Sequence, residues 1–550
     1  MQFYKKIAII TSSVIIGLGG SAFIADQYFE ISKNLDIFST AYKEVNTYYV
    51  DEIEPGKLIR SGIDGMLNSL DPYTNFYSEA EVEDARFLTT GEYGGIGASV
   101  VQHGEYVMIT EPYDGSPAQK VDLRSGDIII EVDGKTTRNK ISNEISKMLK
   151  GQAGTEVILK IKRDEEVMTK KIKREDIKLL NVPFYGMIED HIAYIKQTGF
   201  TNDAGKEVRD ALEILKKTGN VKGVILDLRG NPGGLLHEAV NVVNCFVDRG
   251  QLVVNTRGKV KEWDKEYRTL NAGLDLEVPL AVLTNRGSAS ASEIVAGTIQ
   301  DLDRGIIIGQ RSFGKGLVQN TRPLTYNTQM KITIAKYYTP SGRCIQALDY
   351  THRNEDGSVG KLPDSLTHEF KTKGGRVVRD GGGINPDIPI TLAKMSNIAK
   401  SLYEKNILFE FANKYRNTHN HIVSTSEFKL SDGEWQDFIT FIANKDYQYT
   451  TETEQELEHL KEKAEGEKYF DAIKSDYDDV KKKLSHDKKA DLDKAKNEIV
   501  ELLELEITKR YYYQKASIES TFDDDTDIRA AIDLLNDQVR YKNLLQAKKQ

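Results

Sequence analysis

Apolar residues along this chain change their spacing several times, and each spacing implies a different kind of element. Near the start, Lys5 and Lys6 precede a run of 19 residues, Ile7 to Ala25, that is apolar apart from a few small polar residues and glycines. That length and basic flank indicate an export segment, read equally as a cleaved signal peptide, with Gly20-Ser21-Ala22 as its cleavage site, or as a retained anchor. If retained, its lysines stay on the cytoplasmic side. From residue 26 to about 90, Leu35, Phe38, Tyr42 and Val45 recur at helical spacing. A second helix follows Pro55, with Leu58, Ile59, Ile63, Met66 and Leu67, and Asp71-Pro72 ends it. Between residues 91 and 176 the period shortens. Ala98 to Val101, Tyr106 to Thr110, Ile128 to Val132 and Val157 to Ile161 read as strands, punctuated by Gly126-Asp127 and Asp133-Gly134. Residues 177–394 alternate apolar strands with helices: Val224 to Leu228, interrupted only by Asp227, then Ala281 to Leu283, Ile306 to Ile308 and Met330 to Ile334. This is an α/β pattern within a multidomain α+β chain. From 395 to 550 the chain is charged and helical. Leu492, Ala495, Ile499, Leu502 and Leu503 mark an amphipathic helix, and residues 450–493 read as one long solvated helix or a linker.

Composition narrows the classes. A net charge of −9 excludes the basic surface of a typical nucleic-acid binder. Two cysteines, Cys245 and Cys344, allow one bridge at most and no disulfide framework. The nine histidines show no metal-ligand spacing, so neither a metal nor a cofactor is expected.

Two short segments carry candidate chemistry, Ser288 to Glu293 (Ser-Ala-Ser-Ala-Ser-Glu) and Phe313 to Gly316 (Phe-Gly-Lys-Gly). A serine hydroxyl needs a base to become a nucleophile, and a lysine in an apolar pocket loses its proton readily enough to act as one. Ser290 and Glu293 also have the spacing of a helix capping box, and local sequence does not choose between a cap and a nucleophile. Lys315 equally reads as a solvated lysine in a surface turn. In a strand, Gln319 shares its face with Lys315, and a neutral amide holds an amine without favouring its charged form. The Gly-x-x-x-x-Gly-Lys spacing of a phosphate loop is absent. So is a Ser-x-x-Lys site, which would need a lysine at position 291, 293 or 295. A third segment, Leu226 to Gly234, closes an apolar strand with glycines whose N–H groups suit an oxyanion hole, or make an ordinary strand-to-helix turn.

Two resemblances organise these parts. Tyr93-Gly94-Gly95-Ile96-Gly97, Gly115-Ser116-Pro117-Ala118 and Leu123-Arg124-Ser125-Gly126-Asp127 resemble a PDZ domain over residues 91–176. This implies capture of an extended peptide at a sheet edge, with Gly95, Ile96, Gly97 and Arg124 as its contacts. Over about residues 30 to 390, the order of helices, PDZ, glycine strand, serine motif and lysine motif resembles the C-terminal processing peptidases, or tail-specific proteases. The resemblance implies a crotonase-like core of ββα units. It selects Ser290 as nucleophile, because the family's lysine lies 25 residues on, at Lys315. It assigns Gln319 to orient Lys315, and the backbone N–H groups of Gly234 and Ala291 to the oxyanion hole. Asp301 matches an aspartate that matters in some members; its plainer reading is a helix-end or fold-supporting residue. The implied partners are polypeptides with apolar C-terminal tails, with an adaptor or a second copy as further candidates and membrane contact only through residues 7–25. The implied location is the periplasm. The segment 395–550 has no counterpart in short members and reads as a dimer arm, a substrate platform or an adaptor surface. The rival is a silent PDZ-bearing scaffold, which would need neither Ser290 nor Lys315.

Overall fold

The apolar runs of the α/β region become strands buried on both faces. A computed structural model describes residues 28–82, 87, 89–354, 358–361, 363–391, 394–425, 427–484, 488–519, 522 and 525–546. Its central sheet has six strands in the order Phe184–Ile188, Ile192–Lys196, Gly223–Asp227, Leu280–Thr284, Ile306–Gly309 and Ile388–Pro389. The first two are antiparallel and the rest run parallel. Alternate residues feed separate cores. Val224, Leu226, Val282 and Ile307 meet the helices Ala204–Thr218, Leu236–Phe246 and Ala291–Asp301 on one face. Ile225, Ala281, Leu283 and Ile308 meet Ile528, Ala531 and Leu535 on the other. A strand covered on both sides needs apolar residues at every position, which is why these segments lack alternation.

The chain divides into two compact units, Met1–Val82 with Gln319–Thr333, and Glu83–Val318 with Ile334–Gln550. In the first, residues 28–48 and Pro55–Asn68 are helical, as the spacing predicts. A Cβ on Gly62 would lie 3.1 Å from the Phe38 ring, so a small residue lets the helices meet. Asp71 accepts the backbone N–H groups of Tyr73 and Thr74 and turns the chain into the strand Asn75–Tyr77, which pairs with Gln329 to Lys331. Leu35, Met66 and Ile31 stay exposed here. The export segment, Ile7 to Ala25, lies outside the described residues; no described helix is long and apolar enough to cross a membrane.

In the second unit, the strands Ala98–His103, Tyr106–Pro112, Ile128–Val132, Glu156–Arg163 and Glu166–Lys173 form a second sheet in that order. The last strand carries charge on its open face, which hid it from the sequence reading. A separate two-stranded sheet, Glu92–Gly95 with Glu175–Lys178, joins the start of this segment to its expected end at 176.

The expected boundary at 394/395 falls just before the first helix of the last region, Asn397–Glu404. Residues 397–519 build a helical core around Phe411, Phe438, Ile499 and Leu503. The helix Thr526–Asn536, however, covers the second face of the central sheet, with Leu535 against Gly223, and from the next helix, Gln538–Leu544, the Tyr541 hydroxyl reaches the backbone of Leu280. The sheet would otherwise expose Ile225, Ala281 and Ile308. Residues 450–493 are neither one helix nor a linker: Glu452–Gly466 and Phe470–Leu484 pack together, and the Tyr477 hydroxyl donates to Glu458. Cys245 and Cys344 are free thiols.

Candidate active site

The strand Leu280–Thr284 ends in a turn built by side chains. Asn285 Oδ1 accepts the N–H groups of Gly287 and Gly230, both at 2.9 Å. Ser288 Oγ accepts Asn285 N–H and donates to Leu228 O at 2.8 Å. Four residues on, Ser292 Oγ donates to Asn231 O at 2.9 Å. Both hydroxyls are buried and engaged with the glycine segment. Between them Ser290 is half-buried, with φ 55° and ψ −112°, a backbone conformation that L-residues rarely adopt. It caps the helix Ala291–Asp301, but its own side chain makes no cap bond. The structure thus separates three serines that the sequence presents as equals.

Only the glutamate half of the expected capping box is formed. Glu293, fully buried, accepts Ser290 N–H at 2.8 Å and Lys315 N–H at 2.9 Å on one oxygen. Its other oxygen accepts Gly314 N–H at 2.7 Å and the Ser312 hydroxyl. Tyr337, 1% exposed, repeats the bridge with carbonyls: its hydroxyl lies 3.1 Å from Ser290 O and also donates to Lys315 O. Two buried side chains therefore hold the backbones of Ser290 and Lys315 together. Burial pushes the Glu293 carboxyl above its usual range, and hydrogen bonds from Ser312 and the backbones of Lys315, Gly314 and Ser290 offset only part of this.

Lys315 is half-buried, and its flanks are not those of a surface turn. A Cβ on Gly314, at φ +89°, would lie 2.4 Å from Ala347 Cβ; one on Gly316 would lie 2.8 Å from Gln346 N. Backbone contact with residues 346–347 is what demands glycine here. The expected strand begins only at Leu317, so strand periodicity does not align Lys315 with Gln319. Gln319 lies in the first compact unit, where its Nε2 donates to Thr333 Oγ1 at 3.1 Å.

The glycine segment fits under the serine. A Cβ on Gly233 would lie 2.8 Å from Ser290 Cβ and from Ala291 N. Gly233 N–H is taken by Asn231 Oδ1 at 2.9 Å. Among the described residues, the N–H groups of Gly234 and Ala291 make no hydrogen bond. Asp301 closes the helix that Ser290 opens. Its carboxylate holds the buried Arg343 at 2.7 Å and Ser341 N–H at 3.0 Å, a fold-supporting arrangement at the far end from the serine.

In the second sheet, Ala98–His103 is an edge strand facing the helix Ser142–Leu149. A cavity of about 380 Å³ between them is lined by Tyr93, Ile96, Ala98, Val100, Ser146 and Leu149. Gly97, at φ +73°, leaves no room for a side chain beside Ser116, and Gly95 is buried next to Ile96. Arg124 is not among the residues lining this groove. It pairs with Asp122 at 2.8 Å and lines a different cavity, beside Phe409 and Arg510, because the 124–127 turn faces the helical core and not the groove.

Glu293, Tyr337, Asn231 and Asn285 escaped the sequence reading. Glu293 was visible only as a helix cap, and the others carry no local signal, since their partners lie in distant segments.

A strained serine at a helix start beside a glycine strand, on a chain with a peptide-groove domain, defines a serine peptidase with a PDZ domain. Comparison with known proteins agrees: "Peptidase family S41" matches residues 191–352, "PDZ domain" residues 108–163, and "Probable PDZ-protease, C-terminal helical domain" residues 398–535. The carboxy-terminal-processing protease of Bartonella bacilliformis is 38% identical over 58% of this chain and 74% of its own length. A probable CtpA-like serine protease of Staphylococcus aureus is 36% identical over 57% of this chain and 62% of its own. A solved photosystem II D1 C-terminal processing protease, 26% identical, covers 64% of this chain and 92% of that one with a TM-score of 0.36. The chain belongs to peptidase family S41, among the carboxy-terminal-processing serine proteases.

Proposed function

We propose that this chain is an exported endopeptidase that binds the C-terminal tails of other proteins in its PDZ groove and cuts them with Ser290 and Lys315. One observation carries the chemistry. The same two buried side chains, Glu293 and Tyr337, tie the backbones of Ser290 and Lys315, beside the uncommitted N–H groups of Gly234 and Ala291. Neutral Lys315 takes the Ser290 proton as Oγ attacks the scissile carbonyl. The Gly234 and Ala291 N–H groups stabilise the resulting oxyanion. The tetrahedral adduct collapses to an acyl-enzyme, and the leaving amine takes its proton from Lys315. Water, deprotonated by Lys315, then attacks the ester and frees Ser290. A tail adds along Ala98–His103 as an extra strand, with its last apolar residue toward Ile96 and Leu149.

The apolar run from Ile7 to Ala25 supports export to the periplasm, and a fusion of residues 1–30 that fails to export a reporter rejects that part. The apolar residues left exposed in the first unit support a second copy of the chain as partner; a single-chain mass by light scattering rejects it.

The deciding experiment digests an unfolded protein ending in small apolar residues with the chain from Asp26 onward, with Ser290→Ala and with Lys315→Ala. Cleavage by the unmodified chain alone is expected, and mass spectrometry separates trimming from degradation. Cleavage that survives Ser290→Ala sinks the mechanism. An inert unmodified chain that still binds tails, even with envelope extract added, favours the scaffold.

A further inference from the structure

Arg229 follows the central strand Gly223–Asp227 and precedes the glycine loop. Its side chain is only 15% exposed. On one side it forks onto Asp227, with Nη2 at 2.7 Å and Nε at 3.1 Å from the carboxylate. On the other, Nη1 reaches Asp525 Oδ2 at 2.7 Å and Asp527 Oδ2 at 2.9 Å. Lys196 completes the cluster, 3.1 Å from Asp227 and 2.9 Å from Arg229 O. Asp525 is the N-cap of Thr526–Asn536 and accepts the N–H groups of Asp527 and Ile528. A guanidinium fork fixes direction as well as charge, so this cluster sets where the backbone leaves residue 229.

That backbone leads into the loop beneath the serine. Gly230 N–H is held by Asn285, and Asn231 O receives Ala289 N–H at 3.0 Å and the Ser292 hydroxyl. Three residues later comes Gly234. Gly230 and Asn231, between Arg229 and Gly234, are thus hydrogen-bonded to the serine turn. Arg229 anchors the other end, and two of its three carboxylate partners come from the last part of the chain.

We propose that Asp525 and Asp527 are positioning residues for cleavage: through Arg229 they fix the strand end that places Gly234 N–H, which makes the helix Thr526–Asn536 a working part of the protease site. The proposal rests on reading Gly234 as an oxyanion donor. It separates this helix from residues 397–519, whose core can vary without touching the site.

The test uses the full chain and the double variant Asp525→Asn/Asp527→Asn, which keeps shape and removes charge. A fluorogenic peptide reports kcat and KM. A peptide boronate of the same sequence reports oxyanion geometry, because Ser290 Oγ donates an electron pair to boron, its proton passes to Lys315, and a boron hydroxyl takes the oxyanion position. Misplacing a donor costs turnover and not ground-state binding, so kcat is expected to fall about tenfold to a hundredfold with KM within about twofold. The preference for boronate over plain peptide should shrink by the same factor. Arg229→Lys, which keeps charge and loses the fork, should show the same signature more weakly and serves if the double variant fails to fold. An unchanged boronate preference in both variants overturns the proposal, including when melting temperature and total activity fall together, since that marks a purely structural role. If the unmodified chain shows no Ser290-dependent boronate preference, the oxyanion reading itself fails and takes the proposal with it.

Discussion

Two buried carboxylates stand beside the proposed chemistry, and the molecule treats them oppositely. Asp227, at the end of the glycine strand, faces Lys196, Arg229 and the Tyr194 hydroxyl. Burial pushes its carboxyl up, but the two cations outweigh that and hold it well below its usual range. Glu293, at the serine–lysine junction, receives only neutral donors, three backbone N–H groups and the Ser312 hydroxyl, and stays raised. Charge fixes the strand end and neutral hydrogen bonds fix the junction. The difference has a physical logic. A cation beside Glu293 would add a field next to the lysine proposed as base, whereas neutral donors position Ser290 and Lys315 while adding no fixed positive charge.

The largest effect that would break this contrast is at Asp227. Asp227→Asn leaves Arg229 and Lys196 facing an amide, and removing one partner of a buried pair costs about 3–5 kcal/mol. Urea unfolding should show that loss; a change under about 1 kcal/mol would mean that the cluster is solvated and the contrast false. Glu293→Gln comes next. Its amide nitrogen must face N–H donors, either Ser290 and Lys315 or Gly314, and a buried donor left without an acceptor costs about 1–3 kcal/mol. Turnover should fall with it by about a hundredfold or more, because the two backbones lose their common acceptor. Full activity in Glu293→Gln would show that the junction is held elsewhere. Tyr337→Phe removes one neutral bridge and leaves Glu293 in place, so about 1 kcal/mol and about tenfold in kcat are expected. A larger loss than that of Glu293→Gln would reverse the ranking of the two bridges.

The two carboxylates also differ in how far the sequence reveals them. Asp227 breaks an otherwise apolar strand, which marks it at once as a buried charge in need of partners. Lys196 and Arg229 are visible as basic residues, but their convergence depends on strand register. Asp525 and Asp527 look like the capping start of another charged helix; nothing local says that Ile528, Ala531 and Leu535 seat on the central sheet and not on the helical core. Glu293 hides inside a capping box, an ordinary helix start. Its partners at Ser312, Gly314 and Lys315 arrive from beyond the next strand. The glycines around Lys315 read as a flexible turn until Gln346 and Ala347 are placed against them. The continuous runs at residues 224–227 and 281–283 were legible as strands because burial on both faces leaves no alternative pattern. Side-chain bridges between distant loops have no such period.

The smallest effect, and the sharpest, is the pH dependence of the two amide variants. Asp227 has a folded pKa below its ordinary 3.8, so it contributes stability above that value and loses it as pH falls through the folded pKa. The gap between the unmodified chain and Asp227→Asn should therefore be full at neutral pH and shrink in acid. Glu293 has a folded pKa above its ordinary 4.5, so the folded state binds its proton more tightly than the unfolded one. Its ionisation costs stability as pH rises from 4.5 through the folded pKa, and the gap to Glu293→Gln should shrink in that direction. Each slope is at most about 1.4 kcal/mol per pH unit, since each involves one proton. Unfolding both variants by urea at intervals between pH 3 and pH 8 should give gaps that change in opposite directions. Parallel changes would mean that both carboxylates sit in the same kind of field, and that charge holds the serine–lysine junction as it holds the strand end.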